Sequence, residues 1–277
     1  MRAVFVLAAV LAVHPALAAE ARDTTAFKVC QDGANMPFSD AASEGYENKI
    51  ADLFAADLKL PVKYYSFPNR LAFVRNTLRY KLPDQPYPCD VIIGVPVGFD
   101  QVSATKPYYA STHALVFRKG HGMDNVHSGA DFLALGQDRL KTLKIGVVDQ
   151  SPASLWMAKH NLVDEGVPYL GMTPDTEHSP TYRLQSDLLA GKIDVAILWG
   201  PIAGYLGKTN PDLVVVPLQS EPGVTLDYAM AMGVRYGEPQ WKATIQGLID
   251  RHHAEIDAIL KDYAVPVVPT PPAPAEH

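Results

Sequence analysis

Cys89-Asp90-Val91-Ile92-Ile93-Gly94-Val95-Pro96 and Ile193-Asp194-Val195-Ala196-Ile197-Leu198-Trp199-Gly200-Pro201 are two versions of one phrase, with Asp90 and Asp194 set 104 positions apart. In each, a run of Val and Ile suits a buried strand of a parallel sheet covered on both faces. The Gly and Pro that follow turn the backbone at the strand's carboxyl end. Ligands of open α/β sheets bind at such ends. Two similar ends in one chain imply two α/β lobes facing a shared cleft.

Upstream of the first phrase, residues 27–31 read as a strand, and Tyr46, Ile50, Leu53 and Phe54 fall on one face of a helix that Pro61 ends. Residues 62–67 read as a second strand, and Asn69 is placed to cap a helix carrying Leu71, Val74 and Leu78. A loop with Pro83, Pro86 and Pro88 leads into the phrase and completes a βαβαβ unit, whose right-handed crossovers lay both helices on the sheet. Between the phrases, residues 108–118 and 144–149 are strand-like. Ser151-Pro152 opens a helix lined by Leu155, Ala158 and Leu162 and stopped by Gly166, and Leu184, Leu188 and Leu189 mark another ended by Gly191. Downstream, residues 213–218 form one more strand and the apolar stretch 226–234 carries the chain back. Trp241, Ile245, Leu248, Ile249, Ile256, Ile259 and Leu260 then hold one face of a final helix over 239–263. The expected division is lobe one at 26–117 plus 228–265 and lobe two at 118–227, joined by two crossing strands that bend together as a hinge. The Pro-rich stretch 266–277 reads as an extended, mobile tail.

A chain of 277 residues has room for such a core, and a net charge of −6 with scattered basic residues gives no positive face for nucleic acid. Met1-Arg2, the apolar stretch 3–13, Pro15 and Ala16-Leu17-Ala18-Ala19 read as a secretory signal with a small-residue cleavage site. Residues 1–19 are therefore set apart from the fold, and no stable membrane insertion is expected. Export places the chain where thiols pair, and Cys30 and Cys89 are the only cysteines. Cys30 lies in the first strand and Cys89 opens the strand expected beside it, so a Cys30–Cys89 disulfide is predicted.

The order of elements resembles the type II periplasmic solute-binding proteins across nearly the whole mature chain. The phrases Val29-Cys30-Gln31-Asp32, Pro37-Phe38-Ser39, Gly45-Tyr46-Glu47-Asn48-Lys49-Ile50-Ala51, Phe67-Pro68, Phe73-Val74-Arg75-Asn76-Thr77-Leu78-Arg79, Lys106-Pro107-Tyr108-Tyr109 and Trp199-Gly200-Pro201-Ile202-Ala203-Gly204-Tyr205, with the first strand phrase, resemble one branch. That branch is the MoxJ/XoxJ-type, quinoprotein-dehydrogenase-associated substrate-binding proteins. The resemblance implies a periplasmic accessory of a pyrroloquinoline-quinone (PQQ) alcohol or methanol dehydrogenase, encoded with it and a c-type cytochrome. It implies no cofactor of the chain's own.

Amino-acid-binding members of the wider fold clamp the ligand carboxylate with an Arg shortly after the first phrase and hold its amine with an Asp at the end of the second. Here Pro96-Val97-Gly98-Phe99-Asp100-Gln101 has no Arg, and Trp199 stands where the acid would be useful. Burying an amino-acid zwitterion without those partners is costly, so that cargo is disfavoured. The strand ends offer Phe38, Phe67, Phe99, Tyr108, Trp156, Trp199 and Tyr205, a set suited to an apolar pocket or a groove for a protein segment. Taken singly, each aromatic reads first as core; Trp199 has the best claim because it ends a strand before Gly-Pro. Arg70 is the basic candidate, aimed at an anion from the loop after a strand, although an Arg there commonly lies on a solvated face. The helix start at Ser151 reads chiefly as a capped helix.

No nucleophile elbow, His-Glu-x-x-His or phosphate loop is present, and no metal knuckle. Asp90 and Asp194 read as anchors of strand starts and not as an acid/base pair. The functional expectation is a non-enzymatic periplasmic accessory of the quinoprotein dehydrogenase. The alternative is an ABC-transporter receptor for a small, largely apolar solute. A dehydratase on the same frame ranks below both, because it needs an acid or base aimed into the cleft.

Overall fold

The structure is a computed structural model that describes residues 23–69 and 72–270. The signal segment 1–19, Arg70, Leu71 and the end of the expected tail from 271 onward lie outside the described residues. The chain opens with β1 (Phe27–Gln31), the two-residue strands β2 (Ala34–Asn35) and β3 (Ser39–Asp40), α1 (Tyr46–Leu58) and β4 (Val62–Ser66). A single-turn helix α2 (Phe73–Asn76), β5 (Ile92–Pro96), β6 (Ser103–Ala104) and the long β7 (Tyr109–Arg118) follow. Next come α3 (Gly129–Leu133), α4 (Gln137–Leu140), β8 (Ile145–Val148), α5 (Pro152–Lys159), β9 (Gly166–Tyr169), α6 (Tyr182–Leu189) and β10 (Val195–Trp199). The chain closes with α7 (Gly200–Thr209), β11 (Leu213–Pro217), β12 (Asp227–Val234), α8 (Pro239–Arg251) and α9 (His253–Asp262).

The chain is α/β, but its main sheet is mixed where mostly parallel sheets were expected. β1 lies parallel to β4, and Val29 bridges Val91 in parallel just before β5. β10 is parallel to β8, and β8 to β9. Within the main sheet the antiparallel pairs all involve β7 or β12, the two apolar strands that follow the two phrases: β12 with β5, β6 and β7, and β7 with β10 and β11. β7 changes partner midway. Tyr109 to Thr112 face β12, whereas the stretch from His113 faces Trp199 and the rest of β10. A strand returning beside one that has just left must run against it, and this reverses the direction of half the ladder.

Packing follows this change of partner. Phe27, Val29, Ile50, Phe54, Val91, Ile93, Trp241 and Ile245 form one core, with a smaller cluster of Cys30, Cys89, Val74, Leu78 and Val95 beside it. Beyond His113, Leu115, Phe117, Ile145, Trp156 and Ile197 pack on one face of the sheet, and Val116, Leu184, Leu188 and Leu198 on the other. Helices α8 and α9 both pack on the first core, through Trp241, Leu248, Ile256 and Leu260, so the carboxyl end returns to where the chain began. One long helix was expected there; instead His252 breaks it, with φ −106° and ψ 21°, and its Nε2 lies 2.7 Å from Asp57 Oδ2 on α1.

Other departures have local causes. The helix expected from Asn69 shrinks to one turn because Asn69 N–H donates to Asp32 Oδ2 at 2.7 Å and Ala72 enters α2 at φ 67°. The helix begun at Ser151, whose hydroxyl accepts from Ser154 N–H, ends at Lys159 before Asn161 at φ 57°, and Gly166 opens edge strand β9 instead of stopping a helix. Pro168 is tolerated there because an edge strand has a side with no ladder to break. Gly200-Pro201 does not turn the chain; it begins α7, with Pro in the first turn where its missing N–H costs nothing. The expected tail is held at its start, since Val268 N–H donates to Ala110 O and Ser111 Oγ to Pro266 O.

Both phrase aspartates anchor strand starts. Asp194 Oδ2 accepts Lys144 N–H at 2.8 Å. Asp90 is buried and accepts Arg235 Nη2 at 2.6 Å, while Arg235 Nη1 donates to Cys89 O and Leu78 O and Lys28 Nζ stands 3.6 Å from Asp90 Oδ2. Buried charges are held in this way only when they are paired and hydrogen-bonded.

Candidate functional site

A cavity of about 510 Å³ lies at the carboxyl ends of β1, β5 and β10. The elements around the first core supply most of its wall: Gln31 at the end of β1 and Asp32 after it, Phe38 and Ser39 from the β2–β3 hairpin, Glu47 from α1, Asn69, Phe73 and the β5 residues Gly94 to Pro96. Trp199 at the end of β10, Ile202 in α7, and Pro180 and Thr181 just before α6 close it from the other side. Phe99 and Gln101 complete the rim.

The polar wall is built before any ligand arrives. Buried Asn48 donates to Gln31 Oε1 at 2.8 Å and accepts Gly45 N–H at 3.1 Å, and Gln31 Nε2 donates to Ser66 Oγ at 3.0 Å. Asp32 accepts Ala34 N–H on one oxygen and Asn69 N–H on the other, and Ser39 Oγ donates to Asp32 O at 2.8 Å. The amide groups that open α1 are also occupied, because Tyr46 and Glu47 N–H donate to the carbonyls of Pro37 and Phe38. Gly45 permits this approach, since a Cβ there would strike the Phe38 carbonyl.

Glu47 differs from its polar neighbours. Its carboxyl lies against Gly94, where a Cβ would collide with Oε1, and no described residue hydrogen-bonds it. Desolvation by the surrounding protein pushes its pKa up to about 8, which makes it a neutral acid near neutral pH. Tyr46, Tyr108 and Tyr109 stand behind it, the first and last with hydroxyls 2.8 Å apart. Burial, above all, raises all three phenols.

The aromatic wall centres on Trp199. Its ring meets His113 edge-on at 5.3 Å and Tyr228 at 5.9 Å, which seats it where β7 changes partner. His113 Nδ1 lies 2.8 Å from Leu226 O, and burial depresses its pKa. Of the candidates read from sequence, the cavity brings together Phe38, Phe99 and Trp199. Phe67 does not line it and follows β4, with its N–H on Gln31 O. Tyr108 is buried with its hydroxyl on Ile93 O; Trp156 packs in the second core and donates to Glu221; Tyr205 stacks on Tyr263. Arg70 lies outside the described residues.

The predicted Cys30–Cys89 disulfide is present, and Cys30 lines the cavity. Among the described residues no three His, Cys, Asp or Glu side chains are grouped to hold a metal ion. Nor is any helix among them long and apolar enough to cross a membrane.

Glu47 escaped the reading of aromatic strand ends, although a signal was there. It shares a helical stripe with Ile50, Ala51 and Phe54, which are fully buried, so an acid stands in line with an apolar face.

Strand ends converging on a cavity between two cores define the class, a type II periplasmic binding protein. The crystal structure of periplasmic binding protein XoxJ from Methylobacterium extorquens AM1 matches with a TM-score of 0.69 and 36% identity, covering 88% of this chain and 99% of that one. Protein MoxJ of Paracoccus denitrificans is 27% identical over 280 residues, 95% of each chain. MxaJ from Methlophaga aminisulfidivorans MPT, 22% identical with a TM-score of 0.71 over 87% of this chain and 100% of that one, shares the fold. No family model matches the chain. The chain belongs to the MoxJ/XoxJ-type periplasmic binding proteins.

Proposed function

We propose that the chain is a non-enzymatic periplasmic accessory of a PQQ-dependent alcohol or methanol dehydrogenase, acting in its maturation or activation. The observation that carries this reading is the match to XoxJ at 36% identity across 99% of that chain. The names MoxJ and MxaJ point the same way, toward methanol dehydrogenase systems. The cleft has the frame of a solute receptor without the Arg and Asp clamps of an amino-acid receptor, and β7 with β12 forms the two-stranded crossing about which lobes 26–117 plus 228–265 and 118–227 hinge. Residues 1–19 act as the export signal.

The cavity also supports a second reading, a transport receptor for a small organic solute. A dehydratase needs an acid or base in the cleft. Glu47 is such a group, but among the described residues no free base faces it to complete a proton-transfer pair. Affinity purification of the chain from periplasm, together with the dehydrogenase activity of a deletion strain, tests the accessory reading. Co-purification of the dehydrogenase large subunit and lost activity are expected. Full activity with normally loaded cofactor, or co-purification of a permease instead, overturns it.

A further inference from the structure

We propose that the cavity binds a small organic ammonium ion, held between the ionised Glu47 carboxyl and the ring faces of Phe38, Phe99 and Trp199. This goes beyond the accessory reading, which names a protein partner and no cavity ligand, and it stands or falls separately.

Three observations select this ligand chemistry. First, the Glu47 carboxyl reaches the cavity with no hydrogen bond from a described residue, whereas the oxygens of Asp32 already accept two backbone N–H groups. Secondly, no Lys, Arg or His is among the described residues that line the cavity. Thirdly, Phe38, Phe99 and Trp199 line the same cavity as the acid, and an alkylated ammonium is the cation that gains from ring faces as well as from one carboxylate. A hard metal ion wants several charged oxygens at once, and among the described residues no three His, Cys, Asp or Glu side chains are grouped to hold one. At about 510 Å³ the space suits a compact solute.

The site then works by exchange. Empty, Glu47 carries a proton that neutralises it inside the protein; the arriving ammonium replaces that charge, and the proton leaves to solvent. The ligand brings its own positive charge, so the balance is one cation bound and one proton released, with no redox step. Glu47 thereby discriminates against an uncharged solute of the same shape, which leaves the proton in place and gains no charge attraction from the acid.

The test is calorimetry on the mature chain with choline as probe, neohexyl alcohol as its uncharged carbon analogue and pivalate as the anion of similar shape. Choline is expected to bind, with proton release seen as a dependence of the heat on buffer, and with affinity rising at least about tenfold from about pH 6 to about pH 9. Neohexyl alcohol and pivalate are expected to bind at least about tenfold more weakly. Glu47→Gln is expected to remove both the proton release and the pH dependence. Failure of choline to bind, equal or tighter binding of either analogue, or wild-type choline affinity in Glu47→Gln overturns the proposal. The probe comparison on the unaltered chain holds even if the variant folds poorly.

Discussion

The two copies of the strand phrase end in opposite ways, although both reach the same cavity. After β5 the chain makes a tight turn closed by Phe99 N–H on Pro96 O, and Gly94 leaves a space into which Glu47 leans from a neighbouring helix. After β10 the chain passes without a break into α7, whose Gly200 and Gly204 press against β7 and the Ala264–Pro266 segment. The first end thus gives up its own side chains so that another element can place an acid. The second fixes its own side chain, Trp199, by locking the helix behind it. The steric contacts differ in kind as well. At Gly94 the nearest atom is the far end of a flexible glutamate, whereas at Gly204 it is the backbone carbonyl of Ala264.

The comparison breaks first if the first end does not depend on its covalent tie. Cys30–Cys89 spans a sequence separation of 59 residues and joins β1 to the opening of the phrase. Replacing both cysteines with Ser is expected to cost about 4 kcal/mol through the freed entropy of the unfolded chain. Chemical denaturation read by circular dichroism measures it; a loss below about 1 kcal/mol would show that packing alone holds this end. The second end is tested by Gly204→Ala. The added methyl must displace backbone on α7 or at Ala264, and about 3 kcal/mol of destabilisation is expected, accompanied by a change in tryptophan emission as Trp199 shifts. Unchanged stability would mean that α7 is free to slide and that Trp199 is not seated by it.

Legibility in the sequence tracks how local each cause is. The βαβ periodicities, the Ser151 cap, the Gly191 stop and the cysteine pair depend on neighbours in sequence or on one strand pairing, and all appear in the structure. The direction of β12 beside β5 and β7 does not, because apolar runs look alike whichever way they pair. Gly200-Pro201 was ambiguous for a similar reason, since the same dipeptide closes a strand and opens a helix. In the cavity, Trp199 could be read from its place at a strand end. Tyr108 and Trp156 occupy equally suggestive positions but find hydrogen-bond partners inside the cores. Glu47 was legible only as an acid on a buried helical stripe; that its carboxyl reaches a cavity depends on the missing side chain at Gly94, forty-seven residues later.

The smallest effect sharpens the contrast between the two ends by asking whether the acid strains the fold. Glu47 has its pKa raised from 4.5 to about 8 by desolvation, so the folded chain holds a proton that the unfolded chain has lost over that interval. Wherever the folded state binds more protons, stability falls as pH rises. Below about pH 4.5 both states are protonated and the group contributes nothing; between about 4.5 and 8 the penalty grows; above about 8 it is complete. Because Glu47 is only half-buried and lines the cavity, the full penalty is about 2 kcal/mol, below what a fully buried carboxylate would give. Glu47→Gln removes it. The variant is therefore expected to match the wild type in melting temperature near pH 4 and to exceed it by about 4–8 °C near pH 9. A variant less stable than wild type at alkaline pH would mean that the carboxylate is anchored by partners in the fold. The acid would then be a structural group, and only the aromatic end would remain as the cavity's recognition surface.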